Sequence, residues 1–384
     1  MHSISQRFLS IVEGWFCVLI ILTSCSSPSP SGELEGGLEG DTLQLKYADH
    51  LTIVRCEDYI SVQLADPWNE GNVLHTYLLV PKKKELPDCL PEGTVVRTPL
   101  RRAVVSTSVH CGLINSFGAS ASIAGVCDRQ YIHLPFVDKG IKEGRIADCG
   151  SALSPALEHI VETDPDAIFL SPFQNSGGYG RLEKLNIPII ETADYMETSP
   201  LGRAEWMRFY GLLFGQEQEA DSIFRSVEKE YQRLCRLAQT ATSHPTVLMD
   251  KQTGSVWYVP GGNSTIGHLI VDANTVYPWA DDTHSGSLEL PFEGVLGNAA
   301  EADIWFFRYN APKPITKEQL LSEHRGYDQF RAYQSGQVYG CNTATSAFYE
   351  ETPFAPQRLL LDFITIAHPE LQLGTPRYFH PIKE

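Results

Sequence analysis

The chain has 384 residues, of which 42% are hydrophobic and 20% are charged, and its formal net charge at neutral pH is −17. This length is sufficient for two hydrophobic cores, and the composition is that of a globular protein. A negative charge of this size argues against nucleic acid or an anionic membrane surface as a general partner. A few local arginines would still allow an anionic ligand.

The first residues have the pattern of an export signal. Arg7 precedes the apolar run WFCVLIIL, which is far shorter than the ~20 residues of a membrane-spanning helix. The tetrapeptide LTSC that follows resembles the lipobox of bacterial lipoproteins, which implies cleavage before Cys25 and lipidation of that residue. We expect a signal peptide over residues 1–24 and a flexible tether over residues 25–42, because Ser, Pro, Gly and Glu dominate the latter. An uncleaved or non-lipidated signal is the alternative, because Glu13 is unusual so near the apolar run.

Residues 43–96 are predicted to form a β-rich, antiparallel extension. Short runs such as LTIVRC, YISVQLA and LHTYLLV are separated by turn-forming clusters. Residues 97–199 then alternate strand and helix signals, beginning with the buried run AVVSTS, whose small polar end is typical of a strand that opens into a site. This alternation predicts βαβ units and a parallel sheet.

Residues 200–240 are predicted to be connecting helices. A short apolar helix from Leu201 to Phe214 is expected to end at Gly215. From Glu217 to Gln239 the apolar residues have helical spacing, with acids near the start and bases near the end. Such a helix would be a rod of roughly 35 Å.

The strand and helix alternation restarts in residues 241–384. The runs PTVLMD, SVWYVPG and DIWFFRY are predicted strands, and Asn263 is the expected N-cap of the first helix. The predicted fold is therefore α/β, with two Rossmann-like lobes joined by a single long α-helix and an N-terminal antiparallel β extension. One large α/β domain with a long surface helix is the alternative.

Several segments together resemble the iron-complex and vitamin B12 class of solute-binding proteins of ABC importers. They are the VVSTS strand, the segment LEHIVETDPDAIFLSP, the stiff middle helix and the closing LLLDFITIAHPEL, and the resemblance covers about Arg97 to Leu371. It implies a ligand cleft between the carboxyl ends of two facing sheets. A continuous connecting helix resists bending, so that closure should be small and the cleft largely preformed.

The strand-end loops supply the expected ligand-binding residues. Aromatic rings would offer area, hydroxyls and amides would meet ligand edges, and arginines would bind acid groups. These residues are Ser106, Thr107, Ser108, His110, Arg129, Tyr131, Ser151 and Gln174 in the first lobe and Trp257, Tyr258, His284, Arg308, Tyr309 and Tyr349 in the second.

Some of these residues have an ordinary structural alternative. Ser106 to Ser108 could serve only to cap the next helix, and Trp257 could belong to the core. His110 and His284 are conceivable axial ligands of a haem or cobalt centre, although lone histidines are more often hydrogen-bonded structural residues. We therefore expect no direct protein–metal ligand.

The resemblance also implies a docking role for two surface acids. In that class, one glutamate on each lobe docks onto arginines of the two permease subunits. The matching helices here carry Glu158 and Glu293. The alternative is an ordinary acid near a helix start, where the helix dipole favours it.

The resemblance implies a lipid-anchored substrate-binding protein of an ABC importer, in the periplasm or at the cell surface of a bacterium. Its expected ligand is a ferric siderophore, a corrinoid such as cobalamin, or haem, and its partner is the permease dimer. No cofactor, nucleic acid or enzymatic activity is expected, and the protein should be a monomer. A haem-scavenging lipoprotein without a permease is one alternative. A secreted hydrolase is another, with Ser108 or Cys111 beside His110, but the sequence lacks HExxH, GxSxG and Walker motifs.

Overall fold

The computed structural model describes residues 40–174 and 178–383. The predicted signal peptide, its lipidation residue Cys25 and nearly all of the predicted tether lie outside the described residues. Within the described ranges, no helix is both long enough and apolar enough to cross a membrane.

The N-terminal extension is a five-stranded sheet whose strands lie in chain order. The first four strands pair antiparallel, as the sequence predicts. The fifth pairs parallel with the fourth, which the alternating pattern did not indicate. A parallel pair needs a crossover of about a dozen residues, and the loop between these two strands supplies it. The strands are Asp41–Thr42, Leu51–Arg55, Ile60–Ala65, Val73–Pro81 and Thr94–Thr98.

The N-terminal lobe is built on a five-stranded parallel sheet. Because all its strands run in the same direction, their carboxyl ends lie at a single edge. In spatial order the strands are Ile189–Glu191, Ala167–Leu170, Ala103–Val105, Ile123–Val126 and Ala147–Asp148. The α-helices of this lobe are Ser108–Ser116, Pro135–Lys142 and Leu157–Glu162.

The C-terminal lobe has a smaller parallel sheet and a separate antiparallel sheet. Three parallel strands, Val247–Met249, Ile304–Tyr309 and Val338–Asn342, are followed by the antiparallel His380–Pro381. The antiparallel sheet contains Gln252–Thr253, Val256–Pro260 and Ser287–Leu290, so that the run SVWYVPG is a strand but lies outside the parallel sheet. The helices are Thr265–Asp272, Phe292–Ala299, Lys317–Glu323, Arg331–Gln334, Phe348–Glu351 and Pro356–Ala367.

The first helix of this lobe begins one residue later than expected. Ser264 is the N-cap, and its hydroxyl accepts from the backbone N–H of Gly267 at 3.0 Å. The predicted cap, Asn263, instead places its side-chain oxygen 3.2 Å from His268 Nε2. Both residues are good caps, so propensity alone could not decide between them.

The long helix Glu217–Ala238 joins the two lobes, and we call it the connecting helix. Gly215, with φ 66°, ends the preceding segment in the left-handed conformation that glycine favours. That segment is two short helices, Pro200–Glu205 and Met207–Phe214, instead of the single helix expected. Phe224 and Leu234 are buried on the inner face of the connecting helix. The structure thus has the predicted architecture of two α/β lobes and one long helix.

The N-terminal extension is held against the connecting segment by buried carboxylates. Glu205 is fully buried and accepts backbone N–H groups of Lys46, Tyr47 and Ala48 at 2.7 to 3.1 Å. The buried Glu197 accepts the backbone N–H of Asp49 at 3.1 Å. A carboxylate that receives several N–H groups in this way stabilises the chain it binds. The extension is therefore an integral part of the fold.

The two lobes also contact each other directly. Helix Ser108–Ser116 of the first lobe lies against Phe348–Glu351 of the second. At Gly112, an added Cβ would lie 2.2 Å from the carbonyl oxygen of Glu350. The Glu350 carboxylate accepts from the backbone N–H of His133 at 3.1 Å. The relative position of the lobes is fixed by this contact as well as by the connecting helix.

Candidate functional site

Most exposed aromatic side chains of the described residues follow strand ends of the two lobes. Tyr131 follows strand Ile123–Val126, Phe173 follows Ala167–Leu170, and Tyr195 follows Ile189–Glu191. On the second lobe, Tyr258 lies in the antiparallel sheet and Tyr349 comes after the last parallel strand. Exposed apolar side chains at strand ends are candidates for a binding surface. Ligands of open α/β sheets bind at this edge.

The C-terminal lobe contributes a polar cavity of about 410 Å³. At its base, Arg308 forms a two-point ion pair with Asp250, with Nε–Oδ1 and Nη2–Oδ2 distances of 2.9 and 2.5 Å. Burial alone would lower the pKa of Arg308, but the charge of Asp250 raises it, so that the guanidinium stays protonated. Lys251 pairs with Glu323 at the same cavity. Tyr258, Tyr309 and Tyr349 complete the aromatic part of the lining.

A smaller space of about 100 Å³ lies between the connecting segment and the second lobe. Arg308 and Tyr349 line it from the second lobe, and Arg203 lines it from the start of the connecting segment. Arg203 Nε donates to Asp194 Oδ2 at 3.1 Å. Two arginines, each oriented by a carboxylate, therefore line one space, an arrangement that suits the recognition of an acidic group.

Asp194 is a fully buried anchor beneath this site. Burial would raise its pKa, but the charges of His110 and Arg203 lower it on balance. Tyr210 also donates its hydroxyl to Asp194 at 2.8 Å. Asp194 therefore stays ionised and fixes the orientation of Arg203.

His110 does not reach the cleft, which corrects the prediction that it binds ligand. Its side chain is 4% exposed, with Nε2 2.8 Å from Asp194 Oδ1 and Nδ1 2.6 Å from Thr107 Oγ1. The rings of Tyr210 and Phe354 pack edge-on against it. With both nitrogens engaged, His110 is a structural residue and is not available as an axial metal ligand.

Trp257 likewise lies in the core and not in the cleft. It is completely buried, and its indole N–H donates to the carbonyl of Met249 at 3.1 Å. Its ring packs on Trp305 and Phe330. Successive residues of a strand point to opposite faces, so that only its neighbour Tyr258 is exposed. The sequence indicated an aromatic pair here but could not indicate which ring faces inward.

The remaining predicted residues of the first lobe are spread along its strand ends. Ser106 is buried, and Thr107 caps helix Ser108–Ser116 by accepting from His110 N–H at 3.3 Å, which is the capping alternative. Arg129 is half exposed and pairs with Asp138 at 2.7 Å. Ser151 and Gln174 are exposed.

His284 is exposed and lies 3.0 Å from Asp282, outside the two cavities just described. Over the described ranges 40–174 and 178–383, no group of three or more His, Cys, Asp or Glu side chains is arranged to hold a metal ion.

The two predicted docking acids are both on the surface. Glu158 and Glu293 lie in the first turns of helices Leu157–Glu162 and Phe292–Ala299. Neither forms an ion pair with another described residue. Their carboxylates are therefore free to meet a partner.

Sequence reasoning missed Arg203, Asp250 and Tyr195. Tyr195 follows a strand that was expected, so a systematic search of every strand-end loop would have found it. Arg203 lies in a helical segment that the sequence predicts to be purely structural. Only the tertiary fold places it in the same cavity lining as Arg308. Asp250 was identified as the end of a strand, but its pairing with Arg308 is a tertiary contact between residues 58 positions apart in the sequence.

Comparison with known proteins identifies the family of this chain. The sequence pattern of the periplasmic binding protein family matches residues 124–345, more than half of the chain. The uncharacterized lipoprotein MJ0878 of Methanocaldococcus jannaschii is 24% identical, over 87% of this chain and 84% of that protein. The fold is similar to that of a periplasmic haem-binding protein from Pseudomonas aeruginosa, with a TM-score of 0.59, 15% identity and coverage of 74% of this chain and 99% of the other.

A second similar structure is that of an ABC-type Fe³⁺-hydroxamate transport protein from Saccharomonospora viridis. Its TM-score is 0.55 at 16% identity, and the match covers 70% of this chain and 92% of the other. At these identities the structures establish a shared fold, while the sequence pattern establishes the family. The chain belongs to the periplasmic binding protein family.

Proposed function

We propose that the protein is a lipid-anchored substrate-binding component of an ABC importer, which captures a metal chelate between its lobes and delivers it to the permease. The ligand is a ferric siderophore or a corrinoid, with haem as the further candidate. The observation that carries this proposal is the pair of carboxylate-oriented arginines, Arg203 and Arg308, which line one space together with the exposed ring of Tyr349. Rings suit a large ligand with flat apolar parts, and guanidinium groups suit its acid groups.

The similar proteins support the same assignment. One of the matching structures is of a haem-binding protein, and another belongs to an Fe³⁺-hydroxamate transport system. The relative from Methanocaldococcus jannaschii is a lipoprotein, in agreement with the lipobox-like sequence at Cys25. We propose that Cys25 carries the anchor and that the protein acts outside the cytoplasm.

A hydrolytic role has no support from the arrangement around His110. Cys111, the nearest thiol in sequence, is completely buried, and burial raises its pKa well above the ordinary value. A thiol nucleophile needs a lowered pKa and access to substrate. Both imidazole nitrogens of His110 are occupied by Thr107 and Asp194. The family is a substrate-binding class.

Native mass spectrometry tests the proposal directly. The full chain in detergent is titrated separately with ferrichrome, cobalamin and haem, and one of them is expected to form a one-to-one complex. Replacement of Tyr258 and Tyr349 by Ala should weaken that complex by about 30-fold or more, because buried aromatic anchors commonly contribute about 2 kcal/mol or more to binding.

The control is Val271→Ala, which shortens an equally exposed apolar side chain that lines neither cavity. It should leave the affinity unchanged. Absence of a complex with all three chelates, or a complex that the two tyrosine replacements do not weaken, would contradict the assignment of the cleft.

We propose that Glu158 and Glu293 dock onto the permease, one on each lobe. Their exposure and lack of ion-pair partners among the described residues support this role. Reversal of both charges to Lys should abolish chelate uptake in cells while leaving chelate affinity intact. Unchanged uptake would instead favour the haem-scavenging lipoprotein that works without a permease.

A further inference from the structure

A third cavity, of about 550 Å³, lies between the N-terminal extension and the N-terminal lobe. We call it the extension cavity. Thr94 and Val95 line it from the outermost strand of the extension sheet, and Ile189 and Glu191 line it from the outermost strand of the lobe sheet. It shares no lining residue with the two cavities of the cleft.

Glu191 is the unusual member of this lining. Its side chain is only 10% exposed, and Oε1 accepts from the hydroxyl of Tyr179 at 2.9 Å. Oε2 has no hydrogen-bond partner. The nearest ionisable nitrogen, His75 Nδ1, is 3.2 Å from Oε2 but is not aligned for a hydrogen bond.

His75 is the one ionisable nitrogen base within ion-pair distance of this carboxylate among the described residues. In the part of the chain that the structure describes, no lysine or arginine lies within ion-pair distance of Glu191 or of Glu183, a second acid in the lining. Glu183 is exposed and accepts the backbone N–H of Tyr179 at 2.6 Å. Burial of a carboxylate without a cation is costly, and the cost is relieved when a cation binds beside it.

The size and walls of the cavity indicate what kind of cation fits. Val95, Ile187 and Pro188 form an apolar wall beside the two acids. A volume of about 550 Å³ is in the range of small-molecule sites and is far larger than a bare ion requires. No cluster of three His, Cys, Asp or Glu side chains in the described ranges converges on a metal position.

We propose that the extension cavity binds a small organic molecule that carries a primary ammonium group on a short hydrocarbon chain. The ammonium takes the place next to Glu191 that the His75 ring now approaches. When it displaces that ring, it breaks the 2.8 Å contact of His75 Nε2 with Thr94 Oγ1. Glu183 binds a second cationic group or the polar end of the molecule. The hydrocarbon lies against Val95 and Pro188. This gives the N-terminal extension a binding role that is independent of the chelate in the cleft.

Isothermal titration calorimetry of the full chain in detergent, with 1,4-diaminobutane as the probe, tests this inference. The diamine is expected to bind at one saturable site, whereas 1,4-butanediol, of the same length but uncharged, should not bind. Glu191→Gln should weaken diamine binding by about tenfold or more, because it removes a charge-assisted hydrogen bond. Glu183→Gln should weaken it as well.

The matched control is Glu219→Gln, an exposed acid in the connecting helix that should leave the affinity unchanged. If Glu191→Gln does not fold, as judged by circular dichroism, the exposed Glu183 variant decides the outcome. No saturable diamine binding, or equal binding by the diol or by both glutamate variants, would overturn the inference. Binding of Zn²⁺ in place of the diamine, abolished by His75→Ala, would assign the cavity to a metal and would also overturn it.

Discussion

The close approach of the two lobes at Gly112 leads to a quantitative prediction about stability. Gly112 lies within helix Ser108–Ser116, and a Cβ there would be 2.2 Å from the Glu350 carbonyl oxygen of the other lobe. Favourable carbon contacts begin near 3.5 Å, so Gly112→Ala forces the lobes about 1 Å apart or distorts the helix. Overpacking of this kind costs about 1–3 kcal/mol.

Gly297 provides the matched comparison. It also lies inside a helix, Phe292–Ala299, but no atom lies within 4 Å of its hypothetical Cβ. Gly297→Ala should therefore raise the free energy of unfolding by about 0.5–1 kcal/mol, from helix propensity alone. Gly112→Ala gains the same propensity but also suffers the clash, and its free energy of unfolding should fall below that of the wild type.

Urea denaturation followed by tryptophan fluorescence measures both values. The account predicts opposite signs for the two variants. If Gly112→Ala is as stable as Gly297→Ala, the lobes are not in contact at Glu350, and the claim that their separation is fixed by this contact is refuted.

Further predictions concern Trp257 and Asp194, which the structure places in the interior. Trp257→Ala should lower the free energy of unfolding by about 3–5 kcal/mol, whereas Tyr258→Ala should change it by no more than about 0.5 kcal/mol. Urea denaturation measures both values, and a larger loss for Tyr258→Ala would contradict the burial of Trp257. Asp194 has a folded-state pKa below its ordinary value of 3.8, so its stabilising contribution is present above that pH and is lost as the pH falls through the lower folded-state value. Asp194→Asn should therefore lower stability at neutral pH and reduce the loss of stability on acidification below pH 3.8, measured as thermal midpoints across pH; parallel pH curves for the two proteins would contradict this.

The architecture was readable from the sequence because its signals are local and periodic. The apolar face and terminal charges of Glu217–Ala238 are determined by residues close in sequence, and the helix has nearly the predicted bounds. Buried parallel strands such as Ala167–Leu170 are similarly identified by their apolar runs. The parallel fifth strand of the extension was missed because pairing direction depends on where a crossover leads, which no local pattern encodes.

The site could be predicted only in part from the sequence, because whether a residue lines the cleft depends on the direction of its side chain and on its tertiary partners. Tyr258 and Trp257 are neighbours with the same chemistry, yet one is exposed and the other is buried. His110 looked available because its partner Asp194 is 84 residues away. Arg203 had no pattern at all that marked it as a ligand residue, because its role comes from its position between the lobes.

Hydrogen–deuterium exchange of the full chain, with and without whichever of ferrichrome, cobalamin or haem forms the complex, tests whether the ligand binds between the lobes. We expect slowed exchange in the strand-end loops of both lobes together, around Tyr131 and Tyr195 in the first and around Arg308 and Tyr349 in the second. The connecting helix should change little, because it is rigid in both states. Protection limited to one lobe, or found only in the N-terminal extension, would contradict a ligand site between the lobes.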